Sequence, residues 1–175
     1  EEQLKLDVDL SKLPGGGVLS WPLDDVYITQ YFGRTADAKR LYVSGTHNGI
    51  DLRAAVGTPI KSAAEGTVLG IGDTDTVCRD ASYGKWVLVK HNNGLTTLYA
   101  HLSLIKVAQD QAVSRGGLLG YSGQTGYATG PHLHLTVYAS DGVQIQQKKS
   151  TVCQGTYTLP LADLQAYLDP MLYLK

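Results

Sequence analysis

The chain has 175 residues, 43% of them hydrophobic and 18% charged, with a net charge of −1. That size and balance fit one folded domain with a sizeable core and exclude a disordered chain. Near-neutral charge without a basic block leaves no footprint for nucleic acid, and no apolar run is long enough to span a bilayer as a helix.

The first residues, "EEQLKLDVDL", contain neither a start methionine nor a signal peptide, so the chain reads as a mature form or an excised fragment. Leu4, Leu6, Val8 and Leu10 alternate with polar residues and predict a strand. "LPGGGVLSWP" then predicts a loop, so residues 1–24 read as an N-terminal strand and linker left over from a longer upstream region. From residue 25 onward follow "VYITQYFG", "GIDLRA", "TPIKSAAEG", "GTVLGIGD", "KWVLVKH", "LTTLYAHL", "LLGYSG" and "HLHLTVYAS". Each is short, rich in Val, Ile, Leu, Thr and Tyr, and bounded by Gly, Asn or Asp, which predicts strands joined by tight turns. Asn93-Gly94 between two such runs predicts a two-residue hairpin. The fold class is therefore mainly β, a compact antiparallel sheet domain. "TADAKR" is a weak helix candidate. One short C-terminal helix is predicted in "LPLADLQAYLD", where Leu161, Leu164 and Leu168 recur at helical spacing behind Pro160.

Chemistry concentrates on the histidines. His132 and His134 are two apart in "HLH", so on a strand they share a face while Leu133 takes the other. His47 and Asp51 in "THNGIDLRA" are four apart, again one face of an extended segment. His101 and Tyr99 are two apart in "LYAHL" and are expected to be co-facial. Three segments thus offer imidazoles and one adds a carboxylate, a donor set suited to zinc with mixed nitrogen and oxygen ligands. A catalytic zinc needs three protein ligands and an open position, which leaves two imidazoles for proton transfer. Any one of these motifs alone is weak; together in one glycine-rich β domain they are much stronger.

The segments "HNGIDLRAAVGTPIKSAAEGTV", "YGKWVLVKHNNGLTTLYAHL" and "SGQTGYATGPHLHLTVY" resemble the lysostaphin/LytM-type zinc metallopeptidases that hydrolyse bacterial peptidoglycan. The resemblance covers roughly residues 25–140, and "LDPMLYL" is similar to a "DP-x-x-YL" ending of bacterial members. It implies the duplicated hybrid motif fold with a substrate groove, and a zinc endopeptidase with one Zn2+ per chain. Residue by residue it implies that His47, Asp51 and His134 are metal ligands and that His101 and His132 are catalytic, without deciding which is the base. His91 matches no functional position. Tyr99 and Thr129 are expected to contact substrate. Peptidoglycan peptide is the implied substrate, with an extracytoplasmic, monomeric protein and no nucleic acid or membrane span. "GIDLRA" and "TGPHLH" look more like the broad cell-wall endopeptidase group than the glycine-bridge specialists. A non-catalytic wall-binding or hydrolase-activating member of the fold is the alternative.

Residues 141–160 are longer and more polar than the usual link to the C-terminal ending, so within a metallopeptidase domain of 25–175 they read as an insertion. They contain Cys153; Cys78 lies in the equally polar "DTDTVCRDASYG". Two independent thiols are possible, but turn-rich polar settings favour a Cys78–Cys153 disulfide. Closing so long a loop is worth about 4 kcal/mol in the chain-entropy model. Thiol counting under denaturing, non-reducing conditions is expected to find no free cysteine, and two free thiols would refute the bond.

Overall fold

The structure, a computed structural model, describes residues 4–33 and 46–175. The weak helix candidate at 35–40 lies outside the described residues. Seven strands form a continuous antiparallel path: β1 (Ile28–Gln30), β2 (Ile50–Arg53), β9 (His132–Ala139), β6 (Leu95–Ile105), β5 (Lys85–His91), β4 (Gly66–Asp73) and β7 (Ala112–Val113). Off this path, β3 (Pro59–Lys61) pairs with β8 (Leu118–Ser122), which reaches the end of β6, and β12 (Tyr167–Leu168) pairs with the far end of β9. A separate two-stranded sheet joins β10 (Val143–Lys149) to β11 (Thr156–Ala162).

The central strands are apolar on both faces because each face meets a core. On β5, Val87 and Val89 enter the main core while Trp86 and Leu88 enter a second one. On β9, Leu133, Leu135 and Val137 belong to the main core, which also takes Leu19 and Leu23 from ahead of residue 25. Each such side chain contributes about 1.5–3 kcal/mol of burial free energy, so the register of β9 is firmly held. The second core gathers Leu98, Ala100, Tyr138, Val143, Ala162 and Ala166, with Ile145 of β10 packed against it. The 141–160 segment is thus a hairpin laid over one half of the sheet. Its turn is bonded to the 74–84 loop through Cys78 and Cys153, whose Cα atoms are 5.6 Å apart.

Three expectations change. "LPLADLQAYLD" forms no α-helix: Leu161 sits in β11, residues Leu164–Ala166 make one 3-10 turn, and Leu168 joins β12. Leu161 is buried and Leu164 exposed, so the leucines do not share a face. Pro160 is tolerated in β11 because that strand pairs with no strand but β10 among the described residues. The N-terminal alternation does not become a strand. Leu4 and Leu6 instead donate backbone hydrogen bonds to the Ala162 carbonyl (3.3 Å) and the Asp163 carboxylate (2.9 Å), and Leu10 enters an exposed 3-10 turn. The hairpin between β5 and β6 has three loop residues rather than two, with Gly94 at φ 88° closing it.

His91 closes a buried hydrogen-bonded chain. Its Nδ1 donates to the Glu65 carbonyl at 2.9 Å and its Nε2 meets Thr97 Oγ1 at 2.8 Å. Thr97 Oγ1 lies 2.8 Å from Tyr99 Oη, which accepts from the Ala63 N–H at 2.9 Å. Burial pushes the His91 pKa down, against the pull of the Glu65 carbonyl. The folded state therefore resists a proton that the unfolded chain takes up near pH 6.5. Stability from neutral His91 is present above that pH and is lost as pH falls below it. Denaturant unfolding between pH 7.5 and 5 is expected to show a steeper acid loss for the wild type than for His91→Gln; equal slopes would overturn this.

Candidate metal centre

The alternation of β9 sets His132, His134, Thr136 and Tyr138 on the face opposite the main core. Antiparallel pairing then puts Asp51 of β2 directly across from His134, and Arg53 across from His132. On the other flank of β9, Ala100 of β6 lies opposite His134, and its small side chain leaves space above the strand. His47 arrives from the turn before β2, where its backbone and that of Gly33 exchange two hydrogen bonds of 2.9 Å. Gly49 lets this turn cross β9, since a Cβ there would stand 2.2 Å from the Leu135 carbonyl oxygen. Asp51 Oδ1 consequently faces three imidazole nitrogens: His134 Nδ1 at 3.0 Å, His47 Nε2 at 3.4 Å and His132 Nε2 at 3.5 Å.

His101 reaches this face by a β-bulge. On β5 one residue separates Lys85 from Val87, whereas their partners on β6, Leu102 and Tyr99, are separated by two. The extra residue lets His101 take φ 62°, an uncommon conformation for a residue with a Cβ. The His101 N–H donates to the Tyr83 carbonyl at 2.8 Å, which holds the bulge. The ring swings to 4.7 Å from that of His132, centroid to centroid. Tyr99 stays behind: it is wholly buried in the main core. The expectations that Tyr99 shares a face with His101 and contacts substrate are thus corrected, because the bulge breaks the period of two between them.

Tautomers follow from the carbonyls. His47 Nδ1 meets the Tyr31 carbonyl at 3.1 Å, His101 Nδ1 the Thr125 carbonyl at 2.7 Å, and His132 Nδ1 the Gly130 carbonyl at 2.8 Å. A carbonyl only accepts, so each Nδ1 carries the proton and each neutral ring turns Nε2, with its lone pair, away from that carbonyl. His134 is reversed. Its Nε2 meets Thr136 Oγ1 at 2.7 Å and its Nδ1 points to Asp51. The Thr136 hydroxyl can donate to a bare Nε2 or accept from Nε2–H, so it serves both the ring that bonds Asp51 and the ring that offers Nδ1 to a cation.

His47, Asp51 and His134 present ligand atoms within 4.8 Å of one another, all from buried residues. A bare imidazole nitrogen facing a carboxylate oxygen is repulsive unless a cation lies between them, so the donor set fits a divalent metal with nitrogen and oxygen ligands. Burial alone would raise the Asp51 pKa, but the hydrogen bond from His134 and the charges of the neighbouring imidazoles outweigh it and hold the carboxyl well below the usual carboxylate range. Burial, reinforced by the neighbouring charges of His132 and His134, pushes His101 down to about 3. Burial also lowers His134, against the pull of Asp51.

Residues 45–148 match the sequence profile of peptidase family M23. The chain belongs to peptidase family M23. Among M23 relatives, the peptidoglycan DD-endopeptidase ShyA of Vibrio cholerae is 43% identical over 89 residues, covering 50% of this chain and 19% of the relative. This chain thus spans about a fifth of the length of that curated relative. Among solved structures, a zinc-containing peptidase from Vibrio cholerae aligns with TM-score 0.58 and 30% identity over 71% of this chain and 37% of that one. The catalytic domain of lysostaphin from Staphylococcus simulans aligns with TM-score 0.57 and 26% identity over 74% of this chain and 87% of that one.

The structure brings together His47, Asp51, His101, His132 and His134, and leaves Thr129 exposed on the loop before β9. Sequence reasoning missed Thr136, although it continues the alternation of His132 and His134. The carbonyls of Tyr31, Thr125 and Gly130 left no sequence signal, since every residue has one. Thr136 hydrogen-bonds the far side of the His134 ring, 2.7 Å from its Nε2. Thr136→Val keeps the shape and removes the hydroxyl; metal affinity, titrated with Co2+ or Zn2+, is expected to fall about 10- to 100-fold. Unchanged affinity would remove Thr136 from the site.

Proposed function

We propose that this chain is a zinc-dependent endopeptidase that hydrolyses peptide bonds in the cross-links or stem peptides of bacterial peptidoglycan, outside the cytoplasm. The observation that carries this reading is the convergence of a buried His47–Asp51–His134 donor set with two further imidazoles, His101 and His132, locked in one tautomer beside it. The names of the V. cholerae relative and of the zinc-containing neighbour support the substrate and the metal respectively. The bonded Cys78 and Cys153 suit an oxidising compartment. The DD-endopeptidase relative favours a D-alanyl cross-link to a diamino acid over a glycine bridge.

His47, Asp51 and His134 would hold the zinc, which in such sites polarises a carbonyl and makes water acidic near neutral pH. One carboxylate in the set lowers the formal charge of the centre from +2 to +1. His101 and His132 keep their Nδ1 protons on the Thr125 and Gly130 carbonyls, so Nε2 of each can accept a proton from the attacking water and return it to the leaving amine. The protonated imidazole then faces the oxyanion and stabilises it. Thr129, exposed on the loop that carries the Gly130 carbonyl, is proposed as a substrate contact.

Digestion of purified peptidoglycan and of defined muropeptides, read by mass spectrometry, tests the proposal. Cleavage is expected to stop with a chelator and return with zinc. His134→Ala should lose both metal and activity, whereas His101→Ala should keep near-normal metal and lose activity by about 10²- to 10⁴-fold. Stoichiometric zinc without cleavage of any wall type would overturn the enzyme reading. Loss of metal in His101→Ala would overturn the division between ligands and catalysts.

A further inference from the structure

Next to the candidate centre lies a surface cavity of about 520 Å³ whose lining includes Asp24, Asp25, Tyr27, Arg53, Ala55 and Thr58. Arg53 belongs to both places. It follows Asp51 by two residues on β2, hence on the same face, and stands across from His132. Two strand residues advance about 6.6–6.8 Å, roughly the span of two residues of an extended substrate. The guanidinium rests on the Tyr27 ring, 4.3 Å from its centroid, and the Arg53 N–H donates to the Tyr27 carbonyl at 2.9 Å. Ring and backbone together hold the pair. Arg53 has no ion pair among the described residues, although two carboxylates line the same cavity. Asp24 is instead bonded to Lys61 Nζ at 2.8 Å.

A stacked guanidinium whose fork of donors has no carboxylate partner among the described residues matches a planar monoanion in two-point contact. Asp24 and Asp25 in the same lining disfavour a dianion such as phosphate. We propose that this cavity is a specificity subsite for a carboxylate of the substrate peptide, held by Arg53 and carried within two residues of the scissile bond. The assignment rests on the endopeptidase reading above and adds to it a substrate feature.

The test uses matched cross-link peptides that differ only in one carboxylate near the scissile bond, present free or as the carboxamide. Wild-type enzyme is expected to prefer the free carboxylate by about 10-fold or more in kcat/KM, chiefly through KM, the size of effect one charge-assisted hydrogen-bonded pair gives. Arg53→Gln is expected to erase the preference with metal content unchanged, and Arg53→Lys to keep part of it, since an ammonium retains the charge and loses the fork. Arg53 is exposed, so these changes leave the core intact. Calorimetric binding of the same peptides to the zinc-loaded His101→Ala protein, with and without Arg53→Gln, separates the two claims. Arg53-dependent binding of the carboxylate peptide supports the subsite even if no peptide is cut, in which case only the endopeptidase reading falls. A preference that survives Arg53→Gln, or equal binding of acid and amide, overturns the subsite while leaving the endopeptidase reading standing.

Discussion

Everything at the centre depends on the register of β9 between β2 and β6. With His134 opposite Asp51 on one side and Ala100 on the other, three candidate ligand side chains gather above one face. A slip of one residue would turn His132 and His134 into the main core and drive Leu133 and Leu135 onto the opposite face. The register is held by residues with no part in the chemistry. Leu133, Leu135 and Val137 are wholly buried, and each contributes about 1.5–3 kcal/mol, as much as a hydrogen bond to a charged group. Stability and function thus sit on opposite faces of the same eight residues.

The opposite face itself changes character along the strand. His132 and His134 lie at the candidate centre, Thr136 hydrogen-bonds His134, and Tyr138 is closed into the second core. The hairpin of β10 and β11 is what closes it, packing Val143 and Ala162 over Trp86 and Leu98. Its bond from Cys153 to Cys78 reaches the loop whose Tyr83 carbonyl holds the His101 bulge. The same loop donates the Tyr127 N–H a partner in the Ser82 carbonyl at 2.7 Å, next to the Thr125 carbonyl that orients His101. Gly126 permits this packing, because a Cβ there would meet Gly84 N at 2.3 Å. The β10–β11 hairpin is therefore joined to the face of the candidate centre through backbone, at a point where strain at His101 has to be stabilised by its surroundings.

Imidazole orientation follows one rule applied three times and broken once. Backbone carbonyls pin Nδ1 of His47, His101 and His132, and a carbonyl cannot exchange roles. Those rings keep a single neutral tautomer. His134 leans on a hydroxyl, which can donate or accept, so its proton can sit on either nitrogen. The reversible partner stands at the one ring that bonds Asp51 through the same nitrogen it would offer to a metal.

The sequence alone determined the β character, the set of five chemistry-bearing residues, and the sharing of a face by His132 and His134. Those readings depend on composition and on the period of two, both local properties of an extended chain. Tertiary structure decided where that period stops. Tyr99 and His101 part company because a bulge inserts one residue against β5, and nothing in "LYAHL" signals an inserted residue. The leucines of "LPLADLQAYLD" have helical spacing yet form strand and turn, because β10 and the second core reward an extended chain there more than local propensity rewards a helix. Arg53 carries no more signal in "GIDLRA" than any surface arginine; its importance comes from Tyr27 and His132 arriving beside it from other strands. Contacts between segments distant along the chain are set by the packing of the whole, and only the folded molecule shows them.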